Sequence, residues 1–267
     1  MKKVFLTGAS SGIGRATAEA LARAGHEVWG TSRDPARVPA LPNMHALQLD
    51  LQDRSSVQEA FRRGSEESGG FDVLINNAGT GHFGPAEFLS TETLRLQMQV
   101  ALFGPVQLAQ LALHAMRQRE RGLIVNVSSL AARLPVPFTA GYNAAKAALV
   151  VWSMTAQLEL GSSAIRIVDL QPADIDTGFY DPVRREEAHG SPYERKISQV
   201  WGVVERNMKQ APPPQLVAER IVRLVADENP PARVTVGGAF QTLVAPGIFA
   251  LLPPRLRVWG LRRYYGI

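Results

Sequence analysis

The sequence predicts a doubly wound α/β fold, a mostly parallel sheet of seven strands with helices on both faces. Short apolar segments alternate with helical segments six times along the chain, and a seventh apolar segment completes the sheet. Each apolar segment is short and rich in β-branched residues, which is typical of a buried strand. The 267 residues, of which 45% are hydrophobic, suffice for one large core.

The predicted strands lie at residues 3–6, 27–31, 44–49, 71–75, 123–127, 165–170 and 233–236. The predicted helices lie at residues 15–24, 55–63, 91–117, from near 142 to about 160, and 215–226. Pro105 has no amide hydrogen, so it should kink or interrupt the helix at 91–117.

Composition excludes several kinds of site. The chain has no cysteine, which excludes disulfides, thiolate metal ligands and cysteine nucleophiles, and we predict no metal site. The formal charge is +5, but the arginines are scattered and form no basic stripe, so we expect no nucleic-acid binding. No apolar run is long enough to span a membrane, and the short apolar run after the first lysines stops too early for a signal peptide. A cytoplasmic protein is the expectation.

A glycine-rich turn, TGASSGIG, occupies residues 7–14 between the first predicted strand and the first helix. Unpaired N–H groups at the start of a helix point into such a turn and make it an anion site. The glycines alone would fit an ordinary tight turn equally well. Their position after the first strand of a βα repeat favours a dinucleotide pyrophosphate.

The end of the second strand carries Ser32, Arg33 and Asp34. In a Rossmann-type sheet this position meets the adenosine ribose, where an acid suits NAD and an arginine suits the 2′-phosphate of NADP. Asp34 lies one place too far along, so we predict NADP(H) with Arg33 as the phosphate ligand and Arg15 as a second cation. NAD(H) is the alternative, and a solvated loop charge is the other interpretation of Arg33.

Polar residues also follow later strands. Asp50 ends the third strand, where a carboxylate could receive the adenine amino group, and residues 76–79 (NNAG) end the fourth. The carboxyl edge of a buried parallel sheet is where such folds bind ligands. An asparagine-rich turn that caps the strand is the alternative for residues 76–79.

An acid/base site is predicted in residues 129–146. Tyr142 and Lys146 are four residues apart at the start of a helix, so their side chains share one face. A phenol with a pKa of about 10 needs a nearby cation to exchange protons at neutral pH, and Lys146 could supply it. Ser129, at the end of the fifth strand, could hydrogen-bond the same reacting oxygen.

Residues 178–214 interrupt the alternation of strands and helices and carry spaced aromatic residues, among them Phe179, Tyr180, Tyr193 and Trp201. Because this segment follows the carboxyl end of a strand, we favour a substrate lid over a surface insertion. Residues 238–267 mix arginines with aromatics, which can mark a membrane-surface helix. We favour instead an arm that packs on its own subunit or on a neighbour.

Four motifs at the carboxyl ends of predicted strands together resemble the short-chain dehydrogenase/reductase family, in its single-domain Rossmann-fold branch. They are TGASSGIG at 7–14, NNAG at 76–79, the serine at 129 and YNAAK at 142–146. The resemblance covers nearly the whole chain up to about residue 236. It implies one dinucleotide-binding and catalytic domain over residues 1–237, with residues 238–267 as its C-terminal arm.

The activity that the resemblance implies is hydride transfer between nicotinamide C4 and a carbonyl or secondary alcohol, with NAD(P)+ accepting from CH–OH donors. By the family pattern Tyr142 is the general acid/base, Ser129 polarises the substrate oxygen, and Lys146 holds the nicotinamide ribose and lowers the pKa of the tyrosine. Ser129 rather than Ser128 stands at the family's usual distance from the tyrosine. The other implied cofactor contacts are Gly8, Ser10, Ser11, Gly12, Ile13, Gly14, Arg33, Asp50, Leu51, Asn77, Ala78, Gly79, Pro172, Ile175 and Thr177.

Two positions depart from the family pattern. Ala101 stands where relatives usually have an asparagine that helps to hold a proton-relay water, and Ala173 replaces the glycine of a Pro-Gly pair. We therefore hold two hypotheses. The first is an NADP(H)-dependent oxidoreductase for an apolar carbonyl or alcohol, such as a steroid, retinoid, acyl or aromatic compound. The second is an NADP(H)-binding sensor or scaffold with little or no catalysis. By analogy with the family, a homodimer or homotetramer is expected.

Overall fold

The computed structural model describes residues 1–178, 184–185 and 188–267, and confirms the doubly wound α/β architecture. Within these residues a seven-stranded sheet, parallel throughout, forms the centre of the molecule. Its strands are β1 (Lys3–Thr7), β2 (Glu27–Ser32), β3 (Met44–Gln48), β4 (Val73–Asn76), β6 (Gly122–Val127), β7 (Ile165–Pro172) and β9 (Arg233–Val236). A separate parallel pair consists of β5 (His82–Phe83) and β8 (Arg184–Arg185).

Helices follow most of the strands along the chain. They are α1 (Gly12–Arg23), α2 (Arg54–Ser68), α3 (Thr91–Met98), α4 (Gly104–Gln118), α5 (Ala140–Leu160), α6 (Glu194–Gln210), α7 (Gln215–Ala226), α8 (Ala245–Leu251) and α9 (Pro254–Tyr265). π-Helical turns at Gln99–Phe103 and Phe240–Val244 precede α4 and α8. The tyrosine-bearing helix ends at residue 160, as the sequence predicts, whereas most other boundaries move by one to five residues.

The sheet is buried on both faces because successive residues of its strands point to opposite sides. In β1, Val4 and Leu6 belong to the core that α1 and α7 cover, and Phe5 belongs to the core on the other face. All three side chains have no exposed surface. An uninterrupted apolar strand is therefore what this position requires.

The strand order, β3-β2-β1-β4-β6-β7-β9, reverses direction between β1 and β4. Connections from these neighbouring strands leave toward opposite edges of the sheet and open a crevice at their carboxyl ends. The glycine-rich turn follows β1, and residues 76–79 end β4 and follow it. The two motifs therefore meet at the point where α/β sheets bind ligands.

The long helix predicted at residues 91–117 is interrupted, as Pro105 led us to expect. It consists of α3, the π-helical turn at Gln99–Phe103, and α4, which has Pro105 in its first turn. Because proline has no amide hydrogen, the Ala101 carbonyl cannot receive the usual bond from the fourth residue ahead. The wider turn at this position is a direct consequence.

Of the segment interpreted as a lid, residues 179–183 and 186–187, including Phe179 and Tyr180, lie outside the described residues. The described part contains β8, whose backbone pairs with β5, and the amphipathic helix α6. Three residues of α6 are buried: Ile197, Val200 and Val204. Its role as a lid stays a prediction.

Residues 238–267 form the second π-helical turn, α8 and α9. Tyr265 is buried among residues of α6, so one side of this arm packs on its own chain. The division between a domain at 1–237 and an arm stays a prediction. No helix in the described ranges combines the length and the apolar character needed to cross a bilayer.

Gly14→Ala should destabilise the protein although alanine favours helices. A Cβ at Gly14 would lie 2.0 Å from the Gly8 carbonyl oxygen, a backbone atom that cannot readily move, and 2.4 Å from the side-chain nitrogen of Asn77. Overpacking of this kind lowers the free energy of unfolding by about 1–3 kcal/mol. Denaturant unfolding measures the change.

Gly260→Ala is the matched control, because Gly260 is also helical and a Cβ there would meet nothing within 4 Å. That variant should gain about 0.5–1 kcal/mol from helix propensity alone. Equal unfolding free energies for the two variants would contradict the close approach of α1 to the turn.

Candidate active site

The glycine-rich turn is shaped by backbone conformations and close contacts that side chains would block. Gly8 and Gly12 have φ angles of +73° and +51°, in the left-handed region that glycine adopts without strain. Gly14 packs its Cα against the carbonyl of Gly8. The three glycines consequently leave backbone uncovered in the turn, which forms a cradle, and a Cβ at any of these positions would strain or fill it.

The first turn of α1 faces this cradle. The Ser11 hydroxyl makes no capping hydrogen bond, and no acidic residue occupies the first turn among the residues that the structure describes. Ser10 is half-buried and Ser11 is exposed, while Ile13 packs its side chain on the core. Helix N–H groups and a partial positive charge thus remain available to an anion, and a pyrophosphate fits this surface.

The end of β4 is tied to the turn by hydrogen bonds. The Thr7 hydroxyl accepts from the backbone N–H groups of Asn77 and Ala78, both at 2.9 Å. The Asn77 side chain donates to the Thr7 carbonyl at 3.0 Å. A Cβ on Gly79 would lie 3.9 Å from Lys146 Nζ, so the same loop reaches the predicted catalytic lysine.

The predicted 2′-phosphate position is open and basic. Arg33 is exposed just beyond β2, and Arg37, which the sequence analysis did not single out, is exposed nearby. The Asp34 carboxylate instead accepts a hydrogen bond from the Ala36 N–H at 3.1 Å and caps a short helical turn. Arg15, the other predicted cation, is paired with Glu19 at 3.0 Å.

The loop after β3 places the predicted adenine residues beside the π-helical turn. Asp50 Oδ1 accepts from the Gln52 N–H at 2.9 Å, and the Asp50 N–H donates to Ser56. The Leu51 side chain is buried, and its carbonyl accepts from the Gln99 side chain at 3.0 Å. An adenine contact from Leu51 would therefore have to use its backbone.

Ser129, Tyr142 and Lys146 come together at the carboxyl edge of the sheet. The Ser129 and Tyr142 hydroxyls are hydrogen-bonded to each other. Lys146 Nζ lies 5.8 Å from the centre of the Tyr142 ring and donates to the Val127 carbonyl at 2.7 Å. This cluster is the one predicted from the spacing of the three residues.

The protonation of this cluster is governed by burial. Burial raises the pKa of Tyr142, an effect that the hydrogen bond with Ser129 opposes. Burial also lowers the pKa of Lys146 to about 8, against the charge of Asp169, which raises it. The direction for Tyr142 is opposite to the one predicted from Lys146 alone, because the removal of the phenol from water is the largest effect on its pKa.

A buried carboxylate in this region was missed by the sequence analysis. Asp169, on β7, is 2% exposed and accepts hydrogen bonds from Ser128, from Gln171 at 2.7 Å and from Arg233 at 2.8 Å. The charges of Asp169 and Arg233 also act on Arg133. The partners come from β7, β9 and the loop after β6, and no local sequence pattern links them.

A second network of buried hydrogen bonds joins the sheet to α5, the helix that carries Tyr142. Asn76 donates to the Pro105 carbonyl at 3.0 Å and to Asn126 at 2.9 Å, and Asn126 donates to Ser153 of α5 at 2.8 Å. The Pro105 carbonyl thus gains a partner from the sheet. These bonds fix α4 and α5 relative to the strand ends.

Gln97 is the other polar residue that sequence reasoning missed. It lies one helical turn before Ala101, is 2% exposed, and neither side-chain polar atom has a hydrogen-bond partner among the described residues. Its Oε1 fills the space beside Gly141, the residue before Tyr142. Ala101 itself is fully buried and offers only a methyl group. Gln97 is therefore a buried amide one turn from Ala101 and beside the residue that precedes Tyr142.

The loop after β7 covers the turn. A Cβ on Gly12 would lie 3.1 Å from the Thr177 Cβ, which brings Thr177 to the pyrophosphate cradle. Ile175 is 4% exposed and its side chain belongs to the core, and a cofactor contact from this residue stays a prediction. Pro172 is buried at the end of β7, and Ala173 bonds to Val236 of β9 at 2.8 Å.

Asp174, in the same loop, joins the site to the C-terminal arm. Its carboxylate accepts from Gln241 at 2.6 Å and from Asn207 of α6, whose Nδ2 also donates to the Tyr264 hydroxyl at 2.9 Å. Burial raises the pKa of Asp174, and these hydrogen bonds oppose that effect. The loop, α6 and α9 therefore form one connected structure.

A cluster of aromatic side chains includes Phe138, which lies four residues before Tyr142 in the chain. Phe83 contacts Phe138, with ring centres 5.9 Å apart, and Trp201 of α6, at 4.9 Å. Tyr193 contacts Phe138 and donates to Glu87 at 2.7 Å. Phe138 belongs to the segment between Ser129 and Tyr142 and has a φ of +65°, an unusual conformation for a bulky residue.

Comparisons with known proteins agree with this geometry. Residues 2–188 match the family model described as short chain dehydrogenase. The 3-ketodihydrosphingosine reductase of Bacteroides thetaiotaomicron is 34% identical over 266 residues, which are 99% of this chain and 98% of that protein. The NADPH-dependent 1-acyldihydroxyacetone phosphate reductase of Schizosaccharomyces pombe is 34% identical over 180 residues, 66% of this chain and 60% of that protein.

A solved structure, a short-chain dehydrogenase from Streptomyces avermitilis, superposes with a TM-score of 0.83 at 28% identity and covers 97% of this chain and 96% of that one. The fold, the family model and the related reductases all agree. The chain belongs to the short-chain dehydrogenase/reductase family of oxidoreductases, which use nicotinamide cofactors.

Proposed function

We propose that this protein is an NADP(H)-dependent oxidoreductase that interconverts an apolar carbonyl compound and its secondary alcohol, with Tyr142 as the acid/base. The observation that carries the proposal is the contact between the Ser129 and Tyr142 hydroxyls beside the buried ammonium of Lys146. Buried titratable groups with shifted pKa values in a crevice are characteristic of catalytic sites.

The cofactor would be held by the cradle and by the strand ends around it. The backbone of residues 8–14 and the start of α1 would bind the pyrophosphate, with Thr177 beside it. Arg33, exposed and without an ion pair among the described residues, would bind the 2′-phosphate, whereas Asp34 is occupied by its cap. Asp50 and residues 77–79 would contact the adenosine and the nicotinamide ribose.

The bound nicotinamide supplies or accepts the hydride at its C4 atom. In the direction of reduction, the Tyr142 hydroxyl donates its proton to the carbonyl oxygen as the C–H bond forms. Ser129, already hydrogen-bonded to Tyr142, donates to the same oxygen and polarises it. In the direction of oxidation, the Tyr142 phenolate removes the proton from the alcohol.

Lys146 would bind the ribose hydroxyls and hold positive charge next to the phenol. Its charge must persist in a buried position, where the pKa is lowered to about 8. The Val127 carbonyl and the negative charge of Asp169 offset this loss. We therefore infer that Asp169 is a positioning residue that acts through Lys146 and through the neighbouring Ser128.

An apolar substrate is supported by the aromatic cluster around Phe138. Phe83 is fully buried and contacts Phe138 and Trp201, which are partly exposed, and aromatic side chains near a site favour an apolar ligand. The two related reductases are named for 3-ketodihydrosphingosine and 1-acyldihydroxyacetone phosphate as their substrates. We propose a ketone attached to an apolar chain or ring, with α6 as the lid over it.

The alternative, an NADP(H)-binding sensor or scaffold, is favoured by the buried methyl of Ala101 in place of an amide. Gln97, one turn away, places a buried amide beside Gly141, the residue before Tyr142, and this favours the hypothesis of an active enzyme. Binding of NADPH without turnover of any carbonyl in a broad panel would support the sensor.

We also propose a cytoplasmic homodimer or homotetramer. The outer face of α5 supports assembly, since Val151, Met154 and Leu158 are 56%, 47% and 76% exposed at helical spacing. These apolar side chains would be covered by a second copy of the chain.

Tyr142→Phe should reduce turnover by about 100-fold to 10,000-fold, which is the contribution typical of a positioned general acid. The measurement is NADPH oxidation with a panel of steroid, retinoid, fatty-acyl and aromatic carbonyls. NADPH binding, followed by fluorescence titration, is the internal control and should change little because the ring remains. Undiminished turnover would assign the acid/base role to another group.

Arg33→Ala should weaken NADPH binding by about 10-fold to 100-fold, the effect of losing a charge-assisted hydrogen bond, and leave NADH binding unchanged. Calorimetric titration with each nucleotide gives the comparison. Arg23→Ala, an exposed arginine at the other end of α1, is the charge-matched control. Equal weakening of both nucleotides by Arg33→Ala would reject the phosphate assignment.

Asp169→Asn should lower the pKa of Lys146 below about 8, because the carboxylate favours the protonated ammonium. As pH rises, Lys146 should lose its proton, and turnover should decline, at a lower pH than in the native protein. NMR of 13Cε-labelled lysine measures the pKa directly, beside the pH profile of turnover.

Arg233→Gln separates charge from structure in this experiment. That variant disturbs the same network but keeps the carboxylate and removes a positive neighbour, so the pKa of Lys146 should not fall. If the pKa of Lys146 fell by a similar amount in both variants, the role of Asp169 would be structural and not electrostatic.

A further inference from the structure

The outer surface of the C-terminal arm carries an apolar stripe that faces away from the rest of the chain. Phe240, Val244, Ile248 and Leu251 follow one another at helical spacing through the second π-helical turn and α8, and are 66%, 44%, 53% and 87% exposed. Large aliphatic and aromatic side chains in one row, so widely exposed, mark an interaction surface.

Helix α9 adds a basic face with an aromatic residue at its centre. Trp259 is 66% exposed, and at 100° per residue it lies between Arg255 and Arg263 around the helix. Arg262 lies just beyond Arg255, and the exposed side chains of Leu256 and Val258 border the face. Trp beside arginines and aliphatic side chains is typical of a helix in the interface of a bilayer.

The two helices are held together and to the rest of the chain. Arg257 donates to the carbonyls of Leu252 and Ala250, at 2.7 and 2.8 Å, and lies over the Phe249 ring. On the inner side, Tyr265 is buried against α6. The apolar stripe and the basic face are therefore fixed outward and cannot turn into the core.

The charge of the arm is of one sign. After Glu228 the sequence contains no acidic residue, whereas residues 238–267 contain four arginines. Arg255 and Arg263 make no ion pair with any residue that the structure describes. Such a surface complements phosphate and carboxylate groups outside the chain.

We propose that the C-terminal arm docks the protein on the surface of an anionic phospholipid bilayer, with the stripe and Trp259 in the interface and the arginines among the headgroups. A second copy of the chain fits less well, because a two-fold contact through this face would oppose arginine to arginine. A nucleic acid fits less well, because it offers nothing for the aliphatic stripe to contact.

This proposal differs from the expectation that the arm only packs on protein. The inner side of the arm does pack on protein, because Tyr265 is buried against α6. This packing leaves the apolar stripe on the outer side exposed. The sequence alone could not show which residues of the arm face the chain and which face outward, because the aliphatic stripe and the basic face lie on different helices. Docking of this kind is peripheral and requires no membrane span.

Flotation of the full-length protein with vesicles tests the proposal. Recovery with phosphatidylcholine vesicles that contain about 30 mol% phosphatidylserine should exceed recovery with pure phosphatidylcholine at least about tenfold. Leu251→Glu with Trp259→Glu should abolish the recovery, and Leu216→Glu, a change at an exposed apolar residue of α7, should not. Arg255→Glu with Arg263→Glu should reduce the recovery at least about tenfold. The charge-matched control is Arg54→Glu with Arg117→Glu, which changes exposed arginines on α2 and α4 and should have a much smaller effect.

Three results would overturn the proposal. The first is equal recovery of the native protein with both kinds of vesicle. The second is recovery that the arm variants do not change. The third is self-association through the arm, seen as a loss of oligomers in Leu251→Glu with Trp259→Glu by light scattering, without vesicle binding by the native protein. A further outcome would point to nucleic acid instead. In it, single-stranded DNA removes all vesicle binding by the native protein, and Leu251→Glu with Trp259→Glu still binds the vesicles normally.

Discussion

Burying the ammonium of Lys146 is the constraint on which the site depends. An isolated charge loses the solvation of water, so oxygen atoms must face it from the surrounding strands. The Val127 carbonyl does so from the end of β6, and the Asp169 carboxylate acts on it from β7. Asp169 is itself buried and needs its own donors, which come from Ser128, Gln171 and Arg233. The need to stabilise one cation thus fixes the ends of three neighbouring strands.

The strand ends in turn fix the residues that act on a substrate. Ser129 follows Ser128 directly, so the hydrogen bond from Ser128 to Asp169 also orients the residue that meets Tyr142. On the other side of the switch point, Thr7 receives the N–H groups after β4 and brings the cradle of glycines to the same edge. Acid/base residues and cofactor surface are therefore aligned by hydrogen bonds of two short, buried side chains, Ser128 and Thr7.

The sequence was sufficient for the features that depend on local pattern. Apolar segments predicted the strands, the missing amide of Pro105 predicted the break in the long helix, and a spacing of four placed Tyr142 beside Lys146. Features that depend on distant partners were missed, such as Asp169, whose donors come from positions 128 to 233. Gln97 gave no signal either, because its burial follows from the close approach of Gly141 on another helix.

Asn207 has a consequence for how the two ends of the molecule communicate. Its side chain bonds at once to Asp174, in the loop that covers the cofactor cradle, and to Tyr264, in the last helix. Any arrangement of the arm that changes this bridge changes the free energy of the loop. Linkage is reciprocal, so whatever stabilises the loop from within the crevice favours the matching arrangement of the arm by the same amount. A change that either end of the molecule made to this bridge would therefore be felt as a change in free energy at the other end.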